Sequence, residues 1–272
     1  MSAWAMIHLT SIEKGPSFPQ EGIFPYNVPV IARLEKVRFE SSVTFLVGEN
    51  GSGKSTFLEA LATAVRLPTV GAEEAGSDPS LATVRQLSRH LRLAWTKRTG
   101  RGFYLRAEDF FGFAKRIAQM QAELQTEMAN VDAEYEGRSD FAKSMAKMAY
   151  SGQLAAIEES YGDGLDARSH GEAFLALFQA RFVPDGLYLL DEPEAPLSPL
   201  RQVGMLALLK EMVARDAQFI IATHSPILMA FPGATILNFD QSPPQPVPWE
   251  SLEHVSVTRG FLNDPQLYLN HL

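Results

Sequence analysis

Residues 43–56 hold the feature that most narrows what this chain can fold into. Val43-Thr44-Phe45-Leu46-Val47 is an apolar run of strand length, and Gly48-Glu49-Asn50-Gly51-Ser52-Gly53-Lys54-Ser55-Thr56 follows it at once. Gly48 to Ser55 fits the pattern G-x-x-x-x-G-K-[ST], the P-loop, and each residue type in it has a physical reason. The glycines let successive backbone N–H groups converge on a β-phosphate, and the N-terminus of a following helix adds its partial positive charge. Lys54 reaches the β- and γ-phosphates, and the Ser55 hydroxyl takes a Mg²⁺ position. Thr56 to Val65 supplies that helix, with Phe57, Leu58, Leu61 and Val65 on one side and Pro68 beyond its end. A short, wholly apolar strand before such a loop suits a parallel strand buried on both faces. The candidate ATP-binding set is Gly48, Asn50, Gly51, Ser52, Gly53, Lys54, Ser55 and Thr56.

Two later apolar runs also end on polar residues. Leu187-Tyr188-Leu189-Leu190 runs into Asp191-Glu192-Pro193, and Phe219-Ile220-Ile221-Ala222 runs into Thr223-His224-Ser225-Pro226. At the carboxyl edge of a sheet, Asp191 can hold Mg²⁺ through water and Glu192 can polarise an attacking water. A histidine at the same edge can donate to the γ-phosphate or to that water, and so report whether the γ-phosphate is present. Alone, each run is also what a buried strand ending in a turn looks like. Their order behind the glycine loop makes Glu192 and His224 the candidate catalytic pair, and Ser55 and Asp191 candidate metal positions.

The rest of the chain reads as alternating strands and helices. Residues 4–14 and 30–40 alternate apolar and polar residues like peripheral strands, with Pro16, Pro19, Pro25 and Pro29 between them. Residues 71–80 have loop composition, and Leu91, Leu93 and Trp95 followed by Thr99-Gly100 and Gly102 to Arg106 predict a β-hairpin. From Phe110 to about Ile157 the chain is rich in Ala, Met, Gln, Glu and Lys, which predicts a small helical lobe interrupted at Gly137 and Gly152. Helices are expected at 172–182 and 200–215, and a further strand at 235–239. The expected fold is α/β: a mostly parallel sheet covered by helices, with peripheral antiparallel strands and an inserted helical lobe at about 108–168. One domain over 1–272 is expected, with residues 249–272 as a C-terminal segment whose role the sequence does not show.

Gly48 to Thr56, Asp191-Glu192-Pro193 and Thr223-His224-Ser225 together resemble the Walker A, Walker B and H-loop of the ABC-type ATPase head. The likeness extends to small bacterial ATPases of the ABC/AAA-like class, related to the heads of SMC and recombination-repair proteins. The resemblance implies Mg-dependent ATP hydrolysis and a signature motif about twenty residues before the Walker B strand. Arg168-Ser169-His170-Gly171-Glu172 stands there. Ser169 and Gly171 match the serine and glycine of the motif, and His170 and Glu172 depart from its commonest form. The resemblance further implies that Ser169, Gly171 and Glu172 of one copy cap the ATP of another, in an ATP-dependent homodimer. The D-loop falls at Glu194 to Pro199. The resembled Q-loop region, Arg106-Ala107-Glu108-Asp109, has no glutamine, and Glu108 is its candidate Mg²⁺ or water contact, a third candidate metal position beside Ser55 and Asp191. Tyr26 could stack on adenine or pack within the N-terminal loop.

Composition trims the possibilities. No apolar run approaches the roughly 18 residues needed to cross a bilayer, so a membrane-embedded protein is not expected. The N-terminus has no secretory pattern, and the absence of cysteine removes disulfides and thiolate metal sites, so the cytoplasm is the expected location. A net charge of −8 argues against indiscriminate coating of nucleic acid. The charge is uneven, because Arg85, Arg89, Arg92, Lys97, Arg98, Arg101 and Arg106 occur without an acid among them, beside an acidic stretch from Glu108 to Asp166. That asymmetry fits either a solvated face or a docking surface for DNA or an effector protein. The function expected is an ATPase that gates or drives a partner process, DNA repair and phage defence being examples. The alternatives are a transporter ATP-binding subunit and a nucleotide-gated module with little turnover.

Overall fold

The computed structural model describes residues 6–19, 22–70, 82–161 and 170–270. In chain order the elements are β1 (Leu9–Lys14), α1 (Pro29–Ala32), β2 (Lys36–Arg38), β3 (Val43–Val47), α2 (Lys54–Val65), α3 (Ala82–Ser88), β4 (Leu91–Trp95) and β5 (Gly102–Arg106). Then come α4 (Ala107–Glu134), α5 (Asp140–Tyr161), α6 (His170–Arg181), β6 (Leu187–Asp191), α7 (Pro199–Val213), β7 (Gln218–Ala222) and α8 (Pro226–Met229). The chain closes with β8 (Thr235–Asn238), β9 (Gln245–Pro246), α9 (Glu253–Asn263) and α10 (Pro265–Leu269).

Six strands form the main sheet in the order β5-β6-β7-β3-β8-β9, parallel from β5 to β8, with β9 antiparallel at the edge. The apolar runs of β3, β6 and β7 are buried along their whole length, as strands packed on both faces must be. Alternate residues of these strands enter two different cores, which is the period-2 rule at work. Phe45, Leu105, Tyr188, Leu190, Phe219 and Ile221 face α4, α6 and α7, whereas Leu46, Tyr104, Leu189, Ile220 and Ala222 face α2 and the smaller sheet. The first core is aromatic. Phe174 and Phe178 of α6, with Phe182 just past its end, run along one face of that helix onto Phe103, Tyr188 and Phe219, with ring centroids as close as 4.6 Å. Each such pair contributes about 0.5–1.5 kcal/mol beyond area burial, so α6 is fixed firmly against the sheet.

The smaller sheet corrects the sequence reading. Leu91–Trp95 and Gly102–Arg106 do not form a hairpin: β4 pairs antiparallel with β1 in a sheet of order β2-β1-β4, and β5 pairs in parallel with β6. The chain crosses between sheets at Gly102. Its φ is +121°, and a Cβ there would lie 1.8 Å from the Leu187 carbonyl oxygen, so this glycine lets β5 start flush against β6. Residues 30–40 are not one strand either. Pro29 opens the one-turn helix α1, since its fixed φ suits a first helical position, and only Lys36–Arg38 is extended. Gly137, at φ +81°, does separate α4 from α5, but α5 runs unbroken through Gly152. The expected loop at 71–80 lies outside the described residues.

Candidate functional site

The parallel order of the strands brings the ends of β3, β6 and β7 to one edge, where a doubly covered sheet leaves a crevice. From β3 the chain turns through Gly48, Gly51 and Gly53, with φ of +144°, +84° and +98°, conformations that side chains resist. Gly53 is also a packing necessity, because a Cβ there would lie 2.6 Å from Cγ1 of both Val28 and Val30. Asp240, just past β8, braces the start of the loop by accepting from the Glu49 N–H at 2.7 Å.

Lys54 opens α2 and is only 5% exposed. Its Nζ donates to the carbonyls of Gly48 at 2.7 Å and Glu49 at 3.0 Å, so the ammonium is folded back over the loop. Burial lowers its pKa, and the nearby carboxylates of Glu192, Asp191, Asp240 and Glu49 oppose that shift. Asp191 ends β6 and is 7% exposed. Burial pushes its carboxyl up to about 6, a hydrogen bond with the Ser55 side chain pulls the other way, and repulsion from Glu192 adds to the rise. Its Oδ1 is buried with no hydrogen-bond partner among the described residues. An anionic oxygen left unpaired beside a serine hydroxyl is a donor set that fits a hard cation. Ser55, Glu59, Arg106, Ala107, Asp191 and Glu192 line a cleft of about 220 Å³ at this point.

Glu192 follows at φ +50°, an unusual conformation for a residue with a side chain, pinned by its N–H donating to the Ala222 carbonyl at 2.9 Å. Glu192 lines the Ser55 cleft and also a second one bounded by Phe24, Gly51, Lys54 and Thr56. Glu192 Oε1 lies 3.8 Å from His224 Nε2, at the end of β7. The backbone N–H of His224 donates to Glu194 Oε1 at 2.7 Å, tying that strand end to the turn after β6. Burial lowers the His224 pKa, with Lys54 adding to the effect, so the imidazole is neutral near physiological pH. Its Nε2 is buried without a hydrogen-bond partner among the described residues.

The structure therefore gathers Gly48, Asn50, Gly51, Ser52, Gly53, Lys54, Ser55, Thr56, Asp191, Glu192 and His224 along one crevice. The signature candidates lie elsewhere. Gly171 and Glu172 are in the first turn of α6, where the exposed Glu172 pairs with Arg201 of α7. Ser169 lies outside the described residues, as does the side chain of Glu108. Arg106-Ala107-Glu108-Asp109 spans the end of β5 and the first turn of α4, and Arg106 grips Asp109 through Nε–Oδ2 at 2.7 Å and Nη2–Oδ1 at 3.0 Å. Tyr26 packs edge-on against Phe18 and His90, whereas Phe24, 48% exposed, borders the cleft over the loop. Asp240 and Phe24 are the neighbours that sequence reasoning did not name, and Glu194 and Arg106 entered it within the D-loop and the Q-loop region. Arg106 ends β5 and Asp240 follows β8 by two residues, so both had a usable signal as the exits of two further strands of the same parallel sheet.

Comparison with known proteins follows this geometry. Residues 21–150 match the family model described as "AAA domain", and residues 156–230 match the one described as "AAA domain, putative AbiEii toxin, Type IV TA system". The aliphatic sulfonates import ATP-binding protein SsuB 3 of Paraburkholderia xenovorans (strain LB400) is 28% identical over 227 residues, covering 77% of this chain and 76% of that protein. Among solved structures, the Smc head domain of Pyrococcus furiosus, bound to the C-terminal domain of ScpA, aligns over 95% of this chain and 99% of its own, at 14% identity and a TM-score of 0.46. The cbiO1 protein of Clostridium perfringens, part of the ABC transporter complex cbiONQ, aligns over 98% of this chain and 100% of its own, at 14% identity and a TM-score of 0.43. Two AAA-domain models in tandem, over residues 21–150 and 156–230, agree with a loop, an acidic strand end and a histidine strand end on one crevice: the chain is an ATP-binding P-loop protein of the ABC/AAA-like ATPase class.

Proposed function

We propose that the chain hydrolyses ATP at this crevice, with Glu192 as the base that polarises the attacking water, and that a second copy of the chain closes the site. The observation that carries the reading is the place of Glu192. It borders both clefts flanking Lys54 and Ser55, on a backbone held at φ +50° by its bond to Ala222. Strained residues persist where their surroundings over-determine them, and they concentrate at functional sites.

In this reading the N–H groups of the glycine loop and the α2 N-terminus bind the phosphates, and Lys54 exchanges its two carbonyl partners for phosphate oxygens. Ser55, Asp191 and Glu108 would hold Mg²⁺, and the ion when bound would neutralise phosphate charge. Glu192 takes the proton of the attacking water, and the neutral His224 donates from one ring nitrogen to the γ-phosphate. Phe24 is positioned to stack on the base, because Tyr26 is committed to Phe18 and His90. Ser169, Gly171 and Glu172 serve as the cap for the other copy, so turnover depends on assembly.

The partner process is the gating or driving of another macromolecule, with DNA repair or phage defence as the setting and the cytoplasm as the location. No helix among the described residues is long and apolar enough to cross a membrane. A transporter ATP-binding subunit is the second reading, favoured by the relative named as an import protein. Phosphate release by the purified chain tests the first. Glu192→Gln is expected to lower kcat by about 10²–10⁴-fold while ATP binding survives, and Lys54→Ala to lose binding. Turnover unchanged in both variants refutes the proposal. A stable complex with a membrane permease on co-purification selects the transporter reading.

A further inference from the structure

The C-terminal segment has no part in that reading, yet it reaches the nucleotide edge. Trp249 Nε1 donates to the Pro226 carbonyl at 3.0 Å, and Leu252 and Val255 are buried in the same core as Leu228 and Met229. The segment is thus fastened to α8, the short helix that begins two residues after His224. From α9, His254 comes against His224 with ring centroids 5.8 Å apart and planes at 44°. His254 also borders a cleft with Gly48, Glu49 and Asp240, on the β8 side of the phosphate loop.

This packing matters because of what His224 lacks. The bond from its backbone N–H to Glu194 fixes the main chain and leaves the ring free to turn about its side-chain bonds. Its Nε2 has no hydrogen-bond partner among the described residues, so no bond at that nitrogen sets the plane of the imidazole. His254 Nε2 is likewise buried and unpartnered, which leaves the face and edge of the His254 ring as what it offers His224. A histidine that must present one nitrogen to a phosphate oxygen needs its plane held to within a few tenths of an ångström.

We infer that His254 is a positioning residue for His224: its ring sets the plane of the His224 imidazole, so the C-terminal helix must be docked for the site to hydrolyse ATP. The inference rests on the role given to His224 above. Because shape and not hydrogen bonding does the holding, a flat apolar ring at position 254 serves and a small side chain does not. Lifting α9 from the sheet edge then leaves ATP bound and slows its hydrolysis, which makes residues 249–270 a coupling element.

The test is steady-state ATPase kinetics of the full chain carrying His254→Ala or His254→Phe, each also in a His224→Ala background, with melting temperature as a folding control. His254→Ala is expected to lower kcat about tenfold with KM for ATP within about twofold, and His254→Phe to restore most of the loss. In the His224→Ala background His254→Ala is expected to change kcat by less than about twofold. A full kcat in His254→Ala, or an equal loss in both backgrounds, overturns the inference. The contact is also read without turnover, by NMR of protein carrying ¹³C-labelled histidine. The His224 ring signal is expected to shift in His254→Ala while those of His8 and His90 stay in place. An unmoved His224 signal overturns the inference even for a chain that does not hydrolyse ATP, whereas a moved signal with no wild-type turnover sinks only the hydrolytic reading.

Discussion

Replacing Asp191 by asparagine removes a charge that the empty fold holds at a cost, and the cost can be worked out. Burial, ahead of the repulsion from Glu192, raises this carboxyl from 3.8 to about 6 against the opposing pull of Ser55 and Lys54. The folded pKa lies above the unfolded one, so between these values the folded chain binds more protons than the unfolded chain, and stability falls as pH rises. Above about pH 6 the penalty is complete, and at 1.36 kcal/mol per unit it amounts to about 3 kcal/mol. Asparagine has nearly the same shape, keeps a partner for Ser55 and carries no charge. Without nucleotide and with metal chelated, Asp191→Asn is expected to be more stable than wild type by about 2–3 kcal/mol near pH 7.5, with a gain in Tm of roughly 4–10 °C. The gain is expected to shrink toward zero as the pH falls below about 3.8, where wild-type Asp191 becomes protonated in both states. Urea denaturation of both proteins across that range measures it. A variant that is less stable near neutrality, or a difference that does not shrink on acidification, refutes the reasoning.

Three further expectations concern backbone and base. Gly102→Ala places a methyl group 1.8 Å from the Leu187 carbonyl oxygen at φ +121°, so it is expected to cost more than about 3 kcal/mol, read as a fall in the urea midpoint; an unchanged midpoint counts against the parallel pairing of β5 with β6. Gly53→Ala pushes against Val28 and Val30 and resists φ +98°, so ATP affinity by calorimetry is expected to fall at least about tenfold, and retained affinity would show that the loop relaxes. Phe24→Ala is expected to weaken ATP binding by about 1–3 kcal/mol while Tyr26→Ala leaves affinity alone and lowers Tm; the opposite result would move the stacking role to Tyr26.

What could be read from the sequence was what lies close together in it. The strand at Val43, the glycine loop and the helix behind it are continuous, and Asp191, Glu192 and His224 each sit directly after an apolar run. Partner choice was a different matter. Leu91–Trp95 and Gly102–Arg106 are short runs joined by a turn, and nothing within them tells a hairpin from a crossing. The register that decides it is set by Leu9–Lys14 for one strand and Leu187–Asp191 for the other. Gly102, a glycine at the head of a strand, was the local clue that another backbone approaches closely. Asp240 and His254 reach the loop from about 190 or more residues away in sequence, and Phe24 lies in an irregular segment before α1, so neither periodicity nor spacing could announce them.

The end of β6 concentrates costs that the rest of the sheet does not show. Leu187 to Leu190 are fully buried apolar residues paired with β5 on one side and β7 on the other, and local preference and packing agree throughout them. Within the next four residues the agreement stops. Among the described residues, Asp191 is buried with an oxygen that has no partner, Glu192 takes a positive φ, and Glu194 leaves Oε2 without one while burial raises its pKa. Each conflict is worth about 1–3 kcal/mol, enough to be removed readily by substitution if stability alone were at stake. Sequences keep such conflicts where a function needs the atoms free, and Asp191 and Glu192 line the same cleft as Ser55. A ligand that supplies partners to them meets a site already shaped, held in place by an apolar strand on either side.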